Sequence, residues 1–179
     1  MLAQALPQPQ QLAELGAVLC LWRMHAGSDL AGWSQAVRAS YGCELDSAGL
    51  REQVWFFDAS GACCWRLCLL PDTDFLAWDR LVNGLPWQPD RRDVPGLAER
   101  LWRHLSRHLL EPDWRACVLR FHVRGAPVEV AGALAASLPA LSPLGCEQAR
   151  RIVRDEGIDG VCWQGVQPCA ARMQTCSNE

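Results

Sequence analysis

Residues 54–82, VWFFDASGACCWRLCLLPDTDFLAWDRLV, admit few folds. Val54, Trp55, Phe56 and Phe57 form an apolar run of strand-favouring types that enters Asp58-Ala59-Ser60-Gly61. Asp opens a tight turn there, and Gly at its end takes the positive φ that a bulged hairpin needs. The return segment alternates, with Cys63, Trp65, Leu67 and Leu69 pointing one way and Cys64, Arg66 and Cys68 the other. Pro71 ends the ladder because it has no N–H to donate. Asp72 or Thr73 then caps a helix that carries Phe75, Trp78, Leu81 and Val82 on one face. The order is strand, turn, strand, helix.

The same residues carry a resemblance. Phe56-Phe57-Asp58 with Gly61, a basic Arg66 after it, a short apolar run, an acidic/Thr cap and the helix pattern Ala77-Trp78-x-x-Leu81-Val82 resemble the haem-utilisation proteins of Gram-negative bacteria, the HemS/ChuX-like haemin-transport and haemin-degrading family. Upstream, Leu12-x-x-Leu15-Gly16-x-Val18-x-x-Leu21-x-Arg23 is similar to the segment that opens the sheet in that family. These are scaffold motifs, and they bear on fold more than on chemistry. The resemblance implies an α+β fold, a curved antiparallel sheet backed by helices, present as a single half-domain of a unit that some relatives duplicate. It also implies more strands between the two fragments than residues 24–53 are expected to supply, which puts part of the sheet and any pocket wall it forms in doubt.

A chain of 179 residues suits one domain with a substantial core. The expected division is a leader at 1–11, a single domain at 12–165 and a loosely ordered Cys-containing tail at 166–179. A net charge of −3 argues against broad nucleic-acid binding, which needs a basic stripe. All 17 basic residues are Arg, so every cation is permanently charged and fork-shaped, suited to carboxylates. No apolar run approaches the roughly 20 residues of a membrane span, and the first eleven residues lack the basic and apolar regions of a signal peptide. The ten Cys form no CxxC pair, so reduced, mostly buried thiols in a cytoplasmic protein are expected. Cys162, Cys169 and Cys176, set among small and polar residues, are the ones exposed to oxidation.

Along the chain, residues 12–15 read as the end of a short helix; periodicity alone also tolerates a helix over 10–24, and it is the resemblance that implies a strand over 16–23. Ser28 or Asp29 caps a helix with Leu30, Trp33 and Val37 inward, and Tyr41-Gly42 ends it. Residues 83–93 read as a loop, with Trp87 either a lid over the core, the preferred reading, or part of a binding surface. Pro95 opens a helix to about residue 110, with His104 and His108 at the margin of its leucine stripe. Residues 114–124 read as a long strand, and 126–130 pair back on it. Residues 131–143 read as a short helix and a loop, 145–157 as a helix with Ala149, Ile152 and Val153 inward, and 160–164 as a closing strand.

Three constellations could carry chemistry. On the long strand, Cys117, Leu119, Phe121 and Val123 make a core face, and Arg120, His122 and Arg124 share the other. A neutral imidazole between two guanidiniums offers an axial ligand for haem iron and partners for the propionates, at about 7 Å spacing. The plain alternative is a solvated face with a surface histidine. The second constellation is His104 and His108, whose i,i+4 spacing can hold a transition metal, though no third acidic ligand is near in sequence. The third is His25, where the family's polar segment is not reproduced and nothing is carried over. No His lies in residues 83–97, where a family-like iron ligand is expected, and Tyr41 is the single phenol.

The reading that follows is a cytoplasmic haem-binding or trafficking protein serving haem-iron acquisition, with haem degradation as an extension in which the iron does the chemistry. Its rival is a non-enzymatic protein-interaction domain that keeps the scaffold without a haem site. A metal binder using the helical His pair is a weaker third. The expected partner is haem or a related tetrapyrrole, with a homodimer left open and neither nucleic acid nor membrane expected.

Overall fold

The computed structural model describes residues 6–23, 30–46, 49–88, 114–124, 133–158 and 161–162. Among these lie α1 (Pro9–Ala13), β1 (Ala17–Arg23), α2 (Ala31–Gln35), β2 (Arg38–Asp46), β3 (Gly49–Phe57), β4 (Cys63–Cys68), α3 (Phe75–Val82), β5 (Trp114–Arg124), β6 (Ala133–Ser137), α4 (Pro143–Asp155) and β7 (Val161–Cys162). Six strands pair antiparallel in the order β2-β3-β4-β1-β5-β6, and the short β7 lies parallel beside β5. The fold is α+β, with helices backing an antiparallel sheet, as expected from sequence.

The hairpin forms as its turn residues dictate. Asp58 Oδ1 accepts from Ser60 N at 2.8 Å, Ser60 Oγ at 2.6 Å and Ala62 N at 3.0 Å. These bonds, the Ser60 hydroxyl foremost, hold its carboxyl below the usual range. Gly61 takes φ +84°, and the register shifts between Phe56 and Phe57, a bulge.

Both faces of the sheet are covered, which explains why β1 keeps Ala17–Leu21 from water without any polar alternation. On one face Leu12, Leu15, Trp33, Trp78 and Leu81 pack on Val18, Phe56, Trp65, Leu67 and Phe121. On the other, Ala149, Ile152 and Val153 of α4 pack on Leu19, Leu21, Cys68 and Val118.

The structure corrects several expectations. Asp74, not Asp72 or Thr73, caps α3, accepting from Ala77 N at 2.9 Å. Asp72 instead accepts from Ser142 N and Oγ and so fastens the start of α4, while Thr73 donates to the Ala17 carbonyl at 2.6 Å. Moving the cap turns Phe75 outward, and Ala77 joins Trp78 and Leu81 inside. The helix expected to end at Tyr41-Gly42 stops at Gln35, and both residues lie within β2. Gly42 is there because the Trp55 ring crosses it: a Cβ would collide with Cζ3 and Cη2 of that ring. β2 and a nine-residue β3 supply the strands that residues 24–53 were expected to lack. Residues 133–137 form an edge strand rather than a helix, because pairing with β5 overrides the helix preference of Ala. α1 begins at Pro9, within the stretch read as a leader. The expected helix over 95–110, the pairing of 126–130 and the tail lie outside the described residues.

Cys20, Cys64, Cys68 and Cys117 are buried. Burial pushes the Cys68 thiol up to about 12 and the Cys64 thiol up to about 11. A raised thiol pKa means the folded state holds the neutral form, so the associated stability is complete below the unfolded value of about 8.5 and is lost as pH climbs toward these higher values. Iodoacetamide at pH 8 should therefore leave all four unmodified in the native protein and label them in urea. Native labelling of Cys68 as fast as in urea would contradict the packing.

Candidate functional site

β5 is long enough to run past α4, and that overhang creates the candidate site. Ala116 and Val118 lie beneath α4 and are buried, whereas Arg120 and His122, further along the same face, are exposed. The period of two that set them together in sequence holds, because the segment is extended and pairs residue by residue with β1 and β6. Arg120 stands between Ala17 and Ser137, and His122 opposite Ala135.

The exposed end of β5 opens onto a concavity of about 670 Å³ lined by Arg120, His122, Val123, Ser137, Leu138 and Pro139 among others. That volume is within the usual range for small-molecule sites. His122 Nε2 is 2.7 Å from the Ser137 hydroxyl. Leu138, exposed, and Pro139 add apolar groups to the same lining. Arg124 ends β5 opposite Ala133, and its side chain lies outside what the structure describes, as do His25, His104 and His108. Ser137 and residues 138–140 were missed in sequence because residues 131–143 read as helix and loop; no local signal points to them.

An imidazole and a guanidinium two residues apart on one strand face can supply a ligand to a metal and a partner for a carboxylate. Tyr41 does not fit as a phenolate ligand. It donates to Glu52 Oε2 at 2.8 Å, and burial, with that hydrogen bond, raises its pKa. Trp78 Nε1 donates to the same oxygen at 2.9 Å. Among the described residues no group of three or more His, Cys, Asp or Glu is placed to hold a metal ion.

A second polar cluster lies under α4 and is structural. Arg51 of β3 donates to Glu44 of β2 and, at 3.0 Å, to Glu156, the residue that caps the end of α4. Arg66 of β4 donates to the other Glu156 oxygen at 2.9 Å and stacks on Trp114 at 4.4 Å. Burial works against the Arg51 charge, but Glu156 and Glu44 more than offset it and its pKa is raised. Trp87 is not a core lid: it is 56% exposed, its ring edge-on to Tyr41 at 5.3 Å, while Tyr41 N donates to the Pro86 carbonyl and Gln88 N donates to the Tyr41 carbonyl along the β2 edge. No described helix is long and apolar enough to cross a membrane.

No protein-family model and no curated protein matches the chain. Among solved structures it is similar to the Escherichia coli O157:H7 heme degrading enzyme ChuS, at 17% identity and a TM-score of 0.35, over 56% of this chain and 43% of the enzyme. The match thus spans less than half the length of that protein.

Proposed function

We propose that the chain is a cytoplasmic protein that binds haem or a related tetrapyrrole in haem-iron utilisation, with His122 as the iron ligand and Arg120 and Arg124 toward the propionates. One observation carries the reading: an exposed imidazole and an exposed guanidinium share the rim of one concavity of ligand size. The sequence resemblance of the hairpin and α3 to haem-utilisation proteins points the same way. When bound, haem supplies the redox and dioxygen chemistry; the chain's own part is to hold and orient the ring. Haem degradation is an extension of the same proposal.

Titration with haemin tests it, followed through quenching of the tryptophans and growth of a Soret band. Saturation at about one haemin per chain is expected. Arg120→Ala should weaken binding about two- to fivefold, the scale of an exposed ion pair, without moving the band. Unsaturable binding that ignores Arg120 would count against the site.

The interaction-domain reading has its own observation in Trp87, exposed beside Arg38, whose guanidinium lies 4.5 Å over Phe57. Arg38 is half-buried, and an exposed aromatic ring with an Arg next to it is a common anchor of protein interfaces.

A further inference from the structure

The Ser137 hydroxyl occupies one nitrogen of His122, and the identity of that nitrogen matters. Cross-strand pairing sets Ser137 opposite Arg120, which leaves it one diagonal step from His122 and within reach of the ring. The contact, 2.7 Å, is to Nε2. A neutral imidazole has one bare lone pair, on whichever nitrogen lacks the proton. Nδ1 sits next to the ring carbon that carries Cβ, so a flat macrocycle approaching it collides with the histidine's own side chain and backbone. Nε2 projects clear of both. The nitrogen suited to an iron at the centre of a ring is therefore the one Ser137 holds.

We infer that Ser137 is a positioning residue that masks His122 Nε2, so that an iron-bearing ring enters only by displacing the hydroxyl. This rests on the proposed haem face. Ligation would use the Nε2 lone pair with the ring proton on Nδ1; where Nε2 carries the proton in the free protein, Nε2 gives it up to water as Nδ1 takes one from water, and the released hydroxyl turns to water. Whichever partner donates in the free protein, the hydrogen bond must break first. Ser137 therefore favours the empty state, and it holds the imidazole in one place until a ligand arrives.

The test is haemin titration of the full chain beside Ser137→Ala, Ser137→Thr and His122→Ala. Removing the hydroxyl should tighten binding about two- to tenfold, the net worth of one hydrogen bond. The Soret position should not change, since the iron ligand is the same. Ser137→Thr keeps a hydroxyl and should bind as the wild type does. If His122→Ala weakens binding but Ser137→Ala fails to tighten it, the masking role is wrong and the haem face stands. If His122→Ala binds like the wild type, or no variant binds, the haem face fails and the masking role fails with it.

Discussion

Glu156→Ala should lower the free energy of unfolding by about 3–5 kcal/mol, the cost of leaving buried charge uncompensated. Its side chain is 4% exposed and serves two cations at once, Arg51 and Arg66. Among the described residues Arg51, equally buried, has no hydrogen-bond partner at Nε or Nη1, so losing Glu156 leaves it with Glu44. Arg66 would retain its stack on Trp114. The loss also frees the end of α4, the helix that covers one face of the sheet. Urea midpoints measure this. Replacing Arg66 and Glu156 together by apolar residues of similar volume should cost less than Glu156→Ala alone, because no orphaned partner remains for Arg66. A loss below about 1 kcal/mol for Glu156→Ala, the scale of a surface pair, would show that the network is hydrated.

Trp65→Ala should cost about as much, 3–5 kcal/mol, by a different route. The ring is fully buried and joins three elements: Phe56 of β3 at 4.9 Å, Phe121 of β5 at 5.5 Å and Trp33 of α2 at 6.0 Å between centroids. Truncation leaves a cavity whose walls belong to different strands and cannot collapse together. Trp65→Phe should be far milder. It keeps an edge-to-face partner for Phe56 and removes the indole N–H, a buried donor with no partner among the described residues. An unchanged thermal midpoint for Trp65→Ala would contradict the placement of the hairpin at the centre of the core.

What was legible in sequence was local. Asp58 and Gly61 specify their turn with groups two to four residues apart, so the hairpin was readable without its partners. The α3 cap was less so, because Asp72, Thr73 and Asp74 are all competent and distant contacts decide among them: Ser142 takes Asp72, and the Ala17 carbonyl takes Thr73. β2 was hidden because its pairing with β3 and the Trp55 ring over Gly42 are what make a Gly-containing segment a strand. β6 was hidden because Ala-Leu-Ala-Ala-Ser favours helix until β5 pairs with it. The site divides the same way. Arg120 and His122 follow from alternation along one strand, whereas Ser137, fifteen residues on, reaches His122 only through sheet pairing.

The haem face is tested most directly by the absorption spectrum of the haemin complex of His122→Ala beside that of the wild type. Ligation through this imidazole gives the wild type a sharpened, shifted Soret band. The variant, with no other described histidine at the concavity, should show the broad band of free haemin and weaker binding. Superimposable spectra and equal affinities would contradict the role of His122 and leave the interaction-domain reading, centred on Trp87, as the better one.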